Sequence, residues 1–255
     1  RQMIRSGTTT FCDMYIFERK VAEAAKKAGM RAVVGEVLYD FPSPNVKNME
    51  DGLRYTADLA EEWKDDPLIT PAVEPHATYT CSPELIRRCK ELSDFYCIPL
   101  IIHLSESDSE IKQVREKYGQ TPVLYLDHLS VLNERLIADH CVKITEEEID
   151  LLKRYGVKVV HCPESNMKLA SGVAPVPELI SKGVAVGLGT DGCASNNNLD
   201  MFQEMDTAAK LHKVYRGDPT TMNAVSVVKM ATINGAKVLG LENEVGSIEV
   251  GKKAD

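Results

Sequence analysis

Short runs of β-branched and apolar residues alternate with longer amphipathic stretches along this chain, and the alternation is regular enough to name elements. The pattern predicts strands over residues 7–13, 31–37, 69–74, 98–103, 136–141, 157–161 and 184–189. Between them it predicts helices over 18–28 (closed by Gly29), 49–63, 82–94, 110–118, 146–155 and 176–182, and two further helical stretches over 200–215 and 221–239. Ser82 is a suitable N-cap, with Pro83 in the first turn. Residues 1–5 lead straight into the first strand, and residues 245–251 read as a last strand-like piece of separate character. Strands and helices in this order imply parallel βαβ units with right-handed crossovers. The strands number one fewer than a closed eight-stranded α/β barrel requires. No Pro-, Gly- or Ser-rich linker divides the chain, so a single domain is expected.

Composition narrows the classes. The chain has 255 residues, 44% of them hydrophobic and 27% charged, enough to bury a large core. The longest apolar runs, such as residues 98–102, are strand-sized and far short of a membrane span, and no signal peptide is visible. A net charge of −8 argues against nucleic acid as a partner, because phosphate binding needs a clustered basic surface. Seven cysteines, with no CxxC pair, fit free thiols in a reducing cytoplasm better than a disulfide framework or a thiolate zinc site.

Ligands of parallel α/β folds collect at the carboxyl ends of the strands, and polar residues recur at those ends here. His76, His103, His140, His161 and Asp191 each end or follow a predicted strand. One such histidine is more often packed or solvated than functional, but five such residues on one rim reverse that weighting. The string Ile102-His103-Leu104-Ser105-Glu106 pairs the commonest metal ligand with a proton carrier three residues on. On a continuous strand those two side chains would face opposite sides, so the strand must end near His103. The string Gly187-Leu188-Gly189-Thr190-Asp191-Gly192 surrounds an aspartate with turn-forming glycines; alone it reads rather as an Asx turn that stabilises a loop. Imidazole and carboxylate ligands with a base and acid in reach are what metal-assisted attack by water requires.

At His103–Glu106, His140-Cys141 and residues 189–192 the sequence resembles the amidohydrolase superfamily, in the branch of 5′-methylthioadenosine/S-adenosylhomocysteine deaminases and related chlorohydrolases. The strings 75–82, 161–169 and 191–197 support the resemblance, which covers essentially the whole chain. It implies a TIM-type (β/α)8 barrel lacking its first strand over residues 1–240, with residues 241–255 returning toward a small β-sandwich. It implies that His103 and Asp191 bind one divalent metal, zinc in the first instance and iron as the alternative. Glu106 would then move protons to the ring nitrogen and leaving amine, and Asp191 would also take a proton from water. His140 would hydrogen-bond the nucleophile and tetrahedral intermediate, and His76 would contact substrate. His161 reads as structural, and Met167 and Lys168 as pocket wall. Two-metal members bridge their ions with a lysine on the fourth strand; residues 70–74 offer none.

The family's His-x-His pair and its sugar-gripping glutamate would precede Arg1. Where related deaminases carry an arginine after the third strand, Gly35-Glu36 stands, with Arg54 as the candidate substitute. The expectation is a cytoplasmic hydrolytic deaminase of a purine nucleoside derivative such as S-adenosylhomocysteine or 5′-methylthioadenosine. Guanine or cytosine deaminases and triazine chlorohydrolases are the alternatives within the class, and a catalytically inert structural barrel is the alternative outside it. The expected partner is a small heterocyclic substrate, with neither nucleic acid nor membrane, and self-association is left open. For this chain alone, unpaired strand edges and half a ligand set lead to expectations of poor solubility, weak metal binding and no turnover.

Overall fold

The computed structural model describes residues 1–255. It opens on a short helix, α1 (Gln2–Arg5), where the sequence pattern placed a run into a strand, and continues with β1 (Thr10–Tyr15), α2 (Glu18–Ala28), β2 (Arg31–Leu38) and α3 (Met49–Trp63). The strand expected over 69–74 divides into β3 (Ile69–Pro71) and β4 (Glu74–Pro75), followed by α4 (Pro83–Tyr96). Then come β5 (Leu100–Leu104), α5 (Asp108–Tyr118), α6 (Pro122–His128), β6 (Leu136–His140), α7 (Glu146–Tyr155) and β7 (Lys158–His161). The chain ends through α8 (Pro163–Lys168), α9 (Val176–Ser181), β8 (Val186–Leu188), α10 (Cys193–Asn196), α11 (Met201–Arg216), α12 (Ala224–Ala231) and α13 (Ile233–Leu239). The single helix expected over 221–239 is two, because Thr232 leaves helical geometry at φ −126° and ψ −102°. Residues 245–251 form turns rather than a strand.

Every strand pairing is parallel. One sheet joins β1, β2, β3 and β4 around the central β2, whose eight residues are all buried. The other runs β5–β6–β7–β8. Two isolated parallel bridges, Val73 with Leu100 and Ala77 with His103, connect the two sheets. No pairing is seen between β8 and β1.

Side-chain alternation sorts the strand residues into two layers. Ala32 and Val34 of β2 pack outward on Ala22 and Ala25 of α2 and Leu59 and Trp63 of α3. Val33, Ala72, Ile101, Ile137 and Val238 meet in a separate interior cluster. That cluster draws on strands of both sheets, so the sheets curve around one interior. The largest cluster, of 34 buried residues, lies mainly between the β5–β8 half and its covering helices and extends to Leu38 of β2 and Leu53 of α3. No helix is long and apolar enough to cross a membrane.

Candidate active site at the carboxyl ends of the strands

Three strand ends turn through left-handed backbone at residues other than glycine. Ser105 after β5 has φ 52°, His140 and Cys141 at the end of β6 have φ 70° and 46°, and Asp191 beyond β8 has φ 59°. Such conformations are costly outside glycine and persist where surrounding contacts fix them. Here they redirect polar side chains that a continuing strand would send to alternate faces. β5 ends at Leu104, so His103 and Glu106 do not share one strand, as their spacing required.

The histidines form a connected row. His76 and His103 rings lie 4.9 Å apart, and His103 stacks on His140 at 5.5 Å. His103 Nδ1 is 2.8 Å from the carbonyl oxygen of His76. A carbonyl only accepts, so Nδ1 carries the proton and Nε2 is left with a lone pair. His76 Nδ1 lies 2.8 Å from Thr80 Oγ1, whose own proton goes to the Ala77 carbonyl. Burial, reinforced by His103, pushes the His76 pKa down to about 4, so this ring is neutral near pH 7.

The segment that carries α8 braces the remaining groups. Ser165 Oγ donates to Asp191 Oδ2 at 2.6 Å, Asn166 Oδ1 is 2.9 Å from His140 Nδ1, and Ser171 Oγ donates to Glu106 Oε1 at 3.2 Å. Lys168 Nζ reaches the carbonyl of Ala194 (2.7 Å) and Asn197 Oδ1 (2.5 Å), tying down the loop after Asp191. Met167 is exposed.

All five residues singled out from sequence stand at this end of the fold. Asp139 shows how closely they converge. It lies two residues beyond the interior Ile137 on the same face of β6 and opposite His103 in register. It is half-buried, and enough protein surrounds the carboxyl to raise its pKa to about 7. Burial is the main cause, opposed by His103 and reinforced by Asp191 and Glu106. One carboxyl therefore feels His103, Asp191 and Glu106 together. His161 is fully buried and pairs with His212 of α11, the two Nε2 atoms 3.2 Å apart. Arg54 projects from α3 into solvent toward Asp51.

Sequence pattern did not single out Asp139, Ser165, Asn166 or Ser171. For Asp139 a signal existed in the period-two alternation with Ile137. The other three are small polar residues around a short helix, where only tertiary contact distinguishes them.

The donor set of His103 Nε2 and the Asp191 carboxylate has the nitrogen and oxygen chemistry zinc accepts. The chain gathers no group of three or more His, Cys, Asp or Glu side chains in metal-binding arrangement.

A parallel α/β fold with imidazole and carboxylate groups converging at its strand ends describes a class of hydrolases that activate water. The chain belongs to the amidohydrolase family, whose sequence model matches residues 1–255. It is 61% identical over 254 residues to a 5-methylthioadenosine/S-adenosylhomocysteine deaminase of Syntrophobacter fumaroxidans and 46% identical to one of Aquifex aeolicus. It covers 58% and 59% of those relatives, and they cover 100% of it, so the chain spans little more than half their length. Among solved structures it resembles an adenosine deaminase from Xanthomonas campestris with bound zinc, at 44% identity and TM-score 0.98, covering 100% of this chain and 58% of that one. It also resembles E. coli guanine deaminase, at 27% identity and TM-score 0.89, covering 99% of this chain and 60% of that one.

Proposed function

We propose that this chain carries the greater part of the active site of a hydrolytic deaminase acting on a purine nucleoside derivative such as S-adenosylhomocysteine or 5′-methylthioadenosine. The observation that carries the reading is that one segment, residues 165–171, hydrogen-bonds Asp191, His140 and Glu106, with His140 stacked on His103. The names of the most similar relatives support the substrate class, and the fold of the neighbours supports a full TIM-type barrel in the longer protein.

His103, through Nε2, and Asp191 would hold a divalent metal, with zinc favoured by the Xanthomonas structure and iron as the alternative. When bound, such an ion makes water a competent nucleophile near neutral pH. Asp191 takes the proton released by the attacking water. His140, whose Nδ1 donates to Asn166 Oδ1, keeps a lone pair on Nε2 with which to accept a hydrogen bond from that water. Glu106, steadied by Ser171, protonates the ring nitrogen next to the amino-bearing carbon. It regains a proton from the hydroxyl of the tetrahedral intermediate as the carbonyl forms and passes it to the departing amine, after which the proton held by Asp191 returns to Glu106. His76, held by Thr80, presents Nε2 to a donor group of the substrate.

The test is a substrate panel on the full-length gene product containing these residues, with metal content measured in parallel. The expected result is ammonia release from S-adenosylhomocysteine or 5′-methylthioadenosine by a protein holding one divalent ion. His103→Ala should lose the ion, and Glu106→Gln should retain it while losing at least about 100-fold in kcat. Ammonia from guanine or cytosine only, or chloride from chlorotriazines only, would overturn the substrate class. A stably folded, metal-free protein without turnover would overturn the reading altogether.

A further inference from the structure

Glu110 is 2% exposed, in the first turn of α5, and nothing in the mechanism above uses it. The N-cap of α5 is Ser107, whose hydroxyl accepts from the Glu110 amide at 3.2 Å. A glutamate at this third helical position ordinarily returns to the amide of its own N-cap, forming a capping box. Glu148 of α7 does so in this protein, reaching the Thr145 amide at 2.7 Å. Glu110 bypasses Ser107. Its Oε1 accepts from the Ser105 amide at 3.1 Å, and its Oε2 from the Glu106 amide at 2.8 Å. A third bond comes from outside the loop, from Thr78 Oγ1 at 3.0 Å, two residues beyond His76. Ser105 and Thr78 are both fully buried.

These bonds hold the two peptide groups that set the direction of Glu106. Ser105 sits in left-handed backbone at φ 52°, a conformation a serine abandons unless something fixes it. We infer that Glu110 is a positioning residue for Glu106: its carboxylate fixes the turn at Ser105, aims Glu106 into the mouth, and couples that aim through Thr78 to the loop carrying His76. A glutamate serving only to start α5 would have closed the capping box on Ser107. Burial pushes the Glu110 pKa up to about 7 against the pull of the three hydrogen bonds, a cost that helix initiation alone does not demand.

The inference rests on the role proposed for Glu106, and the experiment separates the two. Glu110→Gln is isosteric but puts an NH2 where one acceptor was. In the full-length protein we expect it to keep metal content and KM within about twofold of wild type while kcat falls about 10- to 100-fold. Combined with Glu106→Gln, it should cause no further loss, because it acts through Glu106. Thr78→Val should lower kcat in the same direction by less, and Thr78→Ser should restore it. The activity-independent readout is a crystal structure of Glu110→Gln, in which Ser105 should leave left-handed geometry and Glu106 should be displaced. Losses that multiply with Glu106→Gln, or an unmoved Ser105–Glu106 backbone, would refute the inference. If Glu110→Gln does not fold, Thr78→Val gives the same two readouts. A wild type that acts on another heterocycle, or on none, removes the substrate reading and leaves the structural readout standing.

Discussion

A Cβ placed on Gly35 would lie 2.5 Å from both Cγ and Cδ of Glu74 and 2.8 Å from the carbonyl oxygen of Ala72. Glu74 is fully buried, so it cannot swing away, and the Ala72 carbonyl is buried backbone between β3 and β4. Gly35→Ala should therefore destabilise the fold by about 1–3 kcal/mol through overpacking, seen as a lower denaturation midpoint at unchanged slope. The same scale shows what was legible in sequence. His76, His103, His140 and Asp191 stood out because strand ends are recognisable and polar residues there are few. Glu110 and Asp139 did not, because each occupies an unremarkable position in a helix start or strand. Their distinction comes from burial against groups that are distant in sequence.

Elements with full amphipathic periodicity and strong end signals matched their expected limits, as at α2, α3 and α7. Periodicity needs two or more turns to register, so α6, α8 and α10, of four to seven residues, escaped it. The cap foreseen at Ser82 is present, its side chain accepting from the Leu85 amide. It has a second role invisible in sequence, because the Ser82 amide and hydroxyl both donate to the carboxylate of Asp40. Asp40 lies between Tyr39 and Phe41, which stack on each other, and Tyr39 packs beside His76. Ser82→Ala should cost about 1 kcal/mol in stability from the lost cap. It should also raise KM more than it lowers kcat, because Asp40, beside the aromatic wall at His76, keeps only the amide of its two bonds to residue 82.

Across the whole molecule, burial has shifted titrating groups in opposite senses. Glu18, Glu110 and Glu204 have pKa values raised to about 10, 7 and 8, with burial the first cause in each; neighbouring carboxylates add to it for Glu18 and Glu204. An acid that binds its proton more tightly when folded favours folding while protonated, and that advantage is lost as pH rises from its ordinary value to its folded one. His212 is lowered to about 4, and His161 is also lowered, by burial first and then by His212; each favours folding when neutral, an advantage lost as pH falls below about 6.5. The two sets offset each other between about pH 4.5 and 6.5, and only the acids act above that. Stability should decline from about pH 7 toward pH 10, and Glu18→Gln should flatten the decline in thermal melts across that range.

The backbone bridges between the two sheets are those of Val73 with Leu100 and Ala77 with His103. The amides of Val73, Ile101 and His103 carry the backbone bonds across this seam, to Pro99, Val73 and His76 respectively. The bond closest to the mouth is the one that ties the His103 backbone to His76. A breathing motion that parts the two halves of the fold would thus break a bond beside the imidazole row. Amide exchange at His103 would report the readiness of the site, and a ligand spanning His76 and His103 would act as a clasp between the halves.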